Sequence, residues 1–217
     1  GPFMYNYNTL TENPKFARKA YDFLEGVAPP LHTTLSGSSA LMKLLTWHFE
    51  APIQGYEKLA HQADFIAAHV RGNTLPIVSD WNNALKTGYD VEKLEWPEWI
   101  RRIENVSDSL PTVVQPGEIT GRVGTAFSLR HNVPRQCEVV AGTTDSIAAY
   151  LAAGANELGQ GVTSLGSSLA IKLLSTKRIE DSTRGVYSHR LGGDKWLVGG
   201  SSNVGSAVFR QHNFTDS

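Results

Sequence analysis

Two short turns of small polar residues hold the side chains best suited to chemistry. The first, 142–146 (GTTDS), lies between the run 138–141 and an Ala-rich stretch with helical spacing. Asp145 is therefore expected at or next to a helix N-terminus, where unpaired backbone N–H groups stabilise a carboxylate and fix its direction. Such a carboxylate can serve as a general base, but an ordinary helix cap would leave the same pattern.

The second turn, 163–168 (TSLGSS), lies between two apolar segments. A turn made of Gly, Ser and Thr lets backbone N–H groups come close to phosphate oxygens. The same composition is typical of a plain β-hairpin turn, so this turn alone does not specify a ligand.

Helices are predicted in the first half of the chain from apolar residues at helical spacing. One covers 13–24, with Thr11 as its N-cap and a proline in its first turn. A serine cap at 36–39 precedes a second helix, and a third covers 62–70. The polar segment 78–89 is typical of a capped helix start.

Strands are predicted in the second half, at 169–174, 185–191 and 195–198. Gly193-Asp194 is expected at the tip of a hairpin between the last two. The glycine-rich segment 199–208 then leads towards a helix.

Composition narrows the class of protein. The 217 residues are 41% hydrophobic and 19% charged, which suits one or two globular domains with a real core. The net charge of −1 gives no basic field for a nucleic acid or an anionic membrane. The single cysteine, Cys137, excludes an internal disulfide, fits a reducing compartment and is expected to be a buried, inert thiol.

The two turns, in this order and at this spacing, resemble the FGGY family of carbohydrate kinases. In that family a G-x-x-D turn carries the catalytic aspartate, and a following S-L-G-[ST]-S turn contacts the phosphates of ATP. Two further stretches, 79–89 and 185–211, also resemble family motifs. Within the family, the sequence is most similar to the D-ribulose kinases of plants and cyanobacteria, which are often labelled xylulose-kinase-like.

The resemblance implies an α/β fold made of two actin-like (ribonuclease H-like) domains with the active site between them. Residues 1–158 would be the C-terminal part of the first, sugar-binding domain. Residues 159–217 would be the N-terminal part of the second, nucleotide domain. The family's D-x-G-T-S hairpin and G-G-G-x-x-N segment do not occur in the sequence, so we expect the chain to be a central fragment of a longer protein.

The resemblance also implies a chemistry, in which a sugar hydroxyl attacks the γ-phosphate of ATP in the presence of Mg²⁺. Asp145 would be the catalytic base, and Thr144 and Asp145 would bind the sugar. No protein side chain is expected to bind the metal directly. The residues assigned to the ATP phosphates are Gly166, Ser167, Gly200 and Asn203. Ser206 stands where the most similar sequences have Gly, and we expect its side chain to narrow the approach to the backbone.

Three hypotheses follow for function. In the first, the full-length protein phosphorylates a pentulose, D-ribulose or D-xylulose, and this chain alone has no catalytic activity. Alternatively, the chain is a truncated, non-catalytic relative that acts as a structural or interaction subunit within a protein complex. A sugar-binding remnant is the third. The first two place a soluble protein inside the cell, in the cytoplasm or the chloroplast stroma, without a nucleic-acid or membrane partner.

Overall fold

The computed structural model describes residues 2–4, 6–73, 76–166, 169–181, 184–202, 204–206, 208–209 and 212. The chain divides into two compact units, 1–143 and 144–217. This division comes earlier in the chain than the predicted boundary at 158/159. The assignment of a sugar-binding and a nucleotide domain to the two parts stays a prediction.

The first unit combines helices with two small sheets. Its helices are α1 (Thr9–Glu12), α2 (Pro14–Val27), α3 (Ala40–Glu50), α4 (Gln62–Val70), α5 (Trp81–Ala84), α6 (Glu98–Arg101) and α7 (Thr125–His131). Its strands are β1 (Val78–Asp80), β2 (Thr112–Val114), β3 (Ile119–Arg122) and β4 (Glu138–Val140). Strands β1 and β2 pair in parallel, whereas β3 and β4 pair antiparallel.

Local capping explains where these helices begin. Ser39 caps α3 by accepting the N–H of Met42 at 3.0 Å, as the serine-rich segment predicts. The bounds of α4 agree with the predicted helix at 62–70. The prediction of Thr11 as the N-cap of α2 is wrong: Thr11 lies inside the short helix α1, and Asn13 occupies the cap position.

The core of the first unit is formed by apolar faces of α2, α3 and α6 and by the segments that follow α3 and α6. Apolar side chains recur along the inward faces of these helices, so the helices pack against one another through them. The buried members are Ala20, Leu24, Leu41, Met42, Leu44, Leu45, Ile53, Ile100, Ile103 and Val106.

The second unit is a helix packed on an antiparallel sheet. Helix α8 (Asp145–Ala152) precedes the strands β5 (Gly161–Leu165), β6 (Leu169–Ser175), β7 (Tyr187–Gly192) and β8 (Lys195–Ser202). The strand order is β5-β6-β8-β7, and β7 and β8 form the predicted hairpin around 193–194. Ile147 and Tyr150 of α8 pack against Leu174 and Leu197 of the sheet.

Among the described residues, no helix combines the length and apolar character that crossing a membrane requires.

Candidate functional site

Asp145 occupies the first position of helix α8, and Thr144 is the N-cap. The backbone carbonyl of Thr144 accepts the N–H groups of Ile147 and Ala148 at 3.1 and 3.0 Å. The Asp145 side chain is exposed, and its Oδ1 accepts the N–H of Ser146 at 2.7 Å. The predicted location at a helix N-terminus is thus confirmed, and the carboxylate is open to a solute.

A buried asparagine bonds to Thr143, the last residue of the first unit. Asn82 Nδ2 donates to Thr143 Oγ1 at 3.1 Å, and the Asn82 side chain is only 3% exposed. The backbone N–H of Asn82 in turn donates to Asp80 Oδ1 at 2.9 Å. The sequence predicted a capped helix start at 78–89 but gave no signal that linked Asn82 to the Gly-Thr-Thr-Asp turn.

Asp80 is the buried cap of α5. Its Oδ1 accepts the N–H groups of Asn82 and Asn83 at 2.9 and 3.1 Å, and its Oδ2 accepts from Asn83 Nδ2 at 2.5 Å. Burial raises the pKa of the Asp80 carboxyl above its ordinary value, although these hydrogen bonds oppose the change. The carboxylate serves to hold the start of α5, so no catalytic role is assigned to it.

A histidine joins α4 to the segment that carries Asp80. His61 Nδ1 lies 2.7 Å from Asp64 Oδ2 and 3.1 Å from Ser79 Oγ. His61 Nε2 lies 3.0 Å from Thr87 Oγ1. This buried polar network keeps β1 and α5 in place, and the sequence gave no indication of it because its members lie far apart in the chain.

The second turn lies at the tip of the β5–β6 hairpin. Leu165 pairs with Leu169, so the hairpin closes beside Gly166, which is exposed. The carbonyl oxygen of Gly166 accepts both the N–H and the hydroxyl of Ser206, at 2.8 and 2.5 Å. The structure therefore brings two of the predicted phosphate-binding segments together, and the extra side chain of Ser206 contributes one of the two bonds. Ser167 lies outside the described residues.

Gly200 lies in β8 opposite Ile171. A Cβ atom at this position would lie 2.8 Å from the carbonyl oxygen of Gly185. Backbone packing alone therefore requires glycine here, independently of any nucleotide. Asn203, the other predicted contact of this segment, lies outside the described residues.

Three side chains that the sequence did not single out lie together in the second unit. Lys172 is 5% exposed, and its Nζ lies 3.2 Å from His189 Nδ1 and 4.6 Å from the ring centroid of Tyr187. The pKa of the Tyr187 phenol is raised, first by burial and second by the negative charge of Asp145.

The described residues contain no cluster of three or more His, Cys, Asp or Glu side chains that could hold a metal ion. The backbone at Gly166 is exposed, and glycine has no side chain to obstruct an approaching ligand.

The expectation of a buried thiol at Cys137 is wrong, because the side chain is exposed. Its N–H donates to the carbonyl of Pro134 at 2.9 Å, which closes a surface turn before β4. The turn keeps the thiol out of the core.

Comparisons with known proteins find carbohydrate kinases among the proteins similar to this chain. No protein-family model matches the sequence. A gluconokinase from Bacillus subtilis (strain 168) is 26% identical over 135 residues, which cover 61% of this chain and 26% of that protein.

Solved carbohydrate kinases match the structure over nearly its whole length. A xylulose kinase from Lactobacillus acidophilus has a TM-score of 0.77 and 19% identity, over 92% of this chain and 42% of its own. A gluconate kinase from the same organism has a TM-score of 0.75 and 18% identity, over 90% and 41%. Plasmodium falciparum glycerol kinase has a TM-score of 0.73 and 14% identity, over 94% and 44%.

The chain therefore spans less than half the length of each of these solved kinases, and about a quarter of the length of the gluconokinase. The predicted fold class is confirmed: the chain has the α/β, actin-like fold of FGGY-type carbohydrate kinases.

Proposed function

We propose that the full-length protein containing this chain transfers the γ-phosphoryl group of ATP to a hydroxyl of a pentulose. D-ribulose is the first candidate and D-xylulose the second. The proposal is carried by one observation: an exposed aspartate stands at the first position of α8 in a chain with a carbohydrate kinase fold. The relatives named as sugar kinases support the reaction type.

Asp145 takes the role of general base in this proposal. Ser146 N–H fixes Oδ1 at 2.7 Å, so we assign Oδ2 to the proton of the attacking sugar hydroxyl. The transition state of phosphoryl transfer is loose, so aiming the hydroxyl oxygen matters more than removing its proton early. Thr144, the N-cap, is assigned to a neighbouring sugar hydroxyl.

The nucleotide phosphates are assigned to the hairpin tip and to the segment that Ser206 ties to it. Gly166 would offer its backbone, and the assignment of Ser167, Gly200 and Asn203 rests on the sequence resemblance. Mg²⁺, when bound with ATP, supplies neutralising charge on the phosphates.

The test compares wild-type full-length protein with Asp145→Asn in an assay that couples ADP release to NADH oxidation. Substrates are D-ribulose, D-xylulose, gluconate and glycerol, ranked by kcat/KM. Loss of the base should lower kcat by about 10²- to 10⁴-fold while ATP affinity, measured by calorimetry, stays within about twofold. Asp194→Asn, at the exposed tip of the β7–β8 hairpin, is the matched control and should keep wild-type kcat. Undiminished turnover by Asp145→Asn would remove the aspartate from this role.

The alternative is a truncated relative that acts as a non-catalytic subunit. The short span of the chain relative to its neighbours makes this alternative worth testing. We expect the isolated chain to show no ATP turnover. A native protein of 23.7 kDa, found in a larger complex by immunoblot and size-exclusion chromatography, would support the alternative. Fractionation of the same extract tests the proposed cytoplasmic or stromal location.

A further inference from the structure

Two hydrogen bonds from one serine tie the tip of the β5–β6 hairpin to the segment that follows β8. The carbonyl oxygen of Gly166 accepts the N–H of Ser206 at 2.8 Å and the hydroxyl of Ser206 at 2.5 Å. The two residues lie 40 positions apart in the chain, and both belong to the second unit. A carbonyl oxygen has two lone pairs, so Ser206 alone fills both.

The register of the sheet brings Ser206 to the hairpin tip. Leu169, the first residue of β6, pairs with Leu165 of β5 on one side and with Ser202 of β8 on the other. The end of β8 therefore lies beside the closed end of the hairpin. Ser202 Oγ then accepts the N–H of Val204 at 3.1 Å, which turns the chain directly after the strand. Ser206 thus reaches Gly166 from the end of a strand in the same sheet.

The tip needs such a contact because the strand ladder does not hold the Gly166 carbonyl. The last ladder pair before the tip is Leu165 with Leu169, and Gly166 itself is exposed. A glycine backbone rotates more easily than that of any other residue, since no Cβ restricts it. One donor would leave the carbonyl free to pivot about a single contact, whereas two donors from the same residue fix its direction.

The direction of this carbonyl matters for an anionic ligand. A carbonyl oxygen carries a partial negative charge and repels the oxygens of a phosphate, which bind instead to backbone N–H groups. With both lone pairs engaged by Ser206, the Gly166 carbonyl points towards that serine and its charge is partly compensated. The tip then presents a less negative potential to a polyphosphate.

We propose that Ser206 is a positioning residue for the nucleotide: its two hydrogen bonds to the Gly166 carbonyl keep the hairpin tip in the orientation that accepts the phosphate oxygens of ATP. This inference rests on the proposed function of the tip. The Ser206 hydroxyl gives its proton to Gly166, so the serine acts through the tip and donates no hydrogen bond to the phosphates. Its effect is therefore expected on nucleotide affinity and not on the sugar.

The first experiment measures binding to the full-length protein by calorimetry, with the non-hydrolysable ATP analogue AMP-PNP and with adenosine. Ser206→Ala should weaken AMP-PNP binding by about three- to tenfold, the range of one hydrogen bond. Adenosine has no phosphate, so its affinity should stay within about twofold of wild type. Ser206→Thr keeps the hydroxyl and should restore AMP-PNP affinity to within about twofold. Equal AMP-PNP affinity of wild type and Ser206→Ala would overturn the proposal.

Ser175→Ala is the matched control, because it also removes a bond from a serine hydroxyl to a carbonyl. Ser175 Oγ donates to the carbonyl of Lys177 at 3.0 Å. This serine ends β6 at the opposite end from Leu169, about 20 Å away along the strand. The control should bind AMP-PNP as wild type does. An equal loss of AMP-PNP affinity in Ser175→Ala and Ser206→Ala would indicate a general loosening of the sheet and refute the positioning role.

The second experiment is kinetic and separates binding from the chemical step. Ser206→Ala should raise KM for ATP by about three- to tenfold and change kcat at saturating ATP by less than about twofold, because the lost interaction is made equally before and during phosphoryl transfer. KM for the sugar should stay at the wild-type value. A lower kcat with an unchanged KM for ATP would contradict the proposal.

The outcomes separate this inference from the proposed function. A wild-type protein that binds no AMP-PNP and phosphorylates no sugar refutes the proposed function, and the role of Ser206 with it. A wild type that is active, with Ser206→Ala at full affinity for AMP-PNP, refutes the role of Ser206 alone. Should Ser206→Ala fail to fold, as judged by circular dichroism, Ser206→Cys takes its place with the same expected loss, because a thiol has a similar shape and is a weak donor.

Discussion

Replacing Asp80 tests how the segment next to the Gly-Thr-Thr-Asp turn is held. The side chain is 1% exposed and makes three hydrogen bonds at the start of α5, to two backbone N–H groups and to the Asn83 amide. Asp80→Ala removes all three acceptor contacts. Asp80→Asn keeps an oxygen that can cap the helix but loses the second acceptor and the charge.

The expected costs follow from these contacts. Losing an N-cap lowers the free energy of unfolding by about 1–2 kcal/mol, and leaving the half-buried Asn83 amide without an acceptor costs about 1–3 kcal/mol more. Asp80→Ala should therefore destabilise the first unit by roughly 2–4 kcal/mol, since the two terms do not add fully. Asp80→Asn should lie within about 1 kcal/mol of wild type, because asparagine is also a strong N-cap.

The two proteins should also differ in their response to pH. Burial raises the pKa of Asp80 above its ordinary value of 3.8, so the folded protein binds the proton more tightly than the unfolded chain does. Wild type should thus lose stability relative to Asp80→Asn as pH rises from 3.8 through the raised pKa, and the difference should then become constant.

Urea unfolding followed by tryptophan fluorescence provides the assay. Trp81 directly follows Asp80 and is buried, and a Trp196→Phe background confines the signal to the first unit. Equal stability of Asp80→Ala and wild type at pH 7 would refute the capping argument. A difference between wild type and Asp80→Asn that is the same at pH 4 and pH 7 would refute the argument from burial.

Three further predictions concern the second unit and the surface. Gly199→Ala should lower the free energy of unfolding by about 2–3 kcal/mol in urea titrations, because the new Cβ collides with the carbonyl oxygen of Ile171. The control is Gly26→Ala, where the new Cβ lies in open space on α2, and this change should be neutral or stabilising. Ser206→Ala should cost about 0.5–1.5 kcal/mol, because only the N–H contact to the Gly166 carbonyl remains; a melting temperature equal to that of wild type would contradict this. Native protein should react with one equivalent of Ellman's reagent per chain at Cys137, and a thiol that reacts only after denaturation would contradict its exposure.

Local signals in the sequence predicted the elements that are determined locally. Helix α4 has the bounds expected from its apolar spacing, because His61 and Asp64 also close its first turn: the His61 N–H donates to Asp64 Oδ2 at 2.9 Å. The cap position at Asn13 was missed because two helices follow each other closely, and Thr11 is by residue type as suitable a cap as Asn13, whose side chain makes no capping hydrogen bond.

Long-range packing decided what could not be predicted. In β6 the residue types alone would predict a buried Ile171 and an exposed Lys172. In the structure Ile171 is 50% exposed and Lys172 is buried. The face that α8 covers determines which side of the strand is inside, and α8 is specified by a different part of the sequence. Asn82 and Thr143 likewise lie 61 positions apart in the chain, so no spacing rule links them.

The paired glycines of β8 have an evolutionary consequence. A methyl group at Gly199 would strike the carbonyl of Ile171, and one at Gly200 would press on the carbonyl of Gly185, so each position is closed by main chain rather than by a ligand. Purifying selection for folding alone would preserve this diglycine in a descendant that had stopped using ATP. In a mutational scan selected only for protein abundance, both positions should already be intolerant, and comparing that scan with one selected for sugar phosphorylation would show which glycines the reaction itself needs.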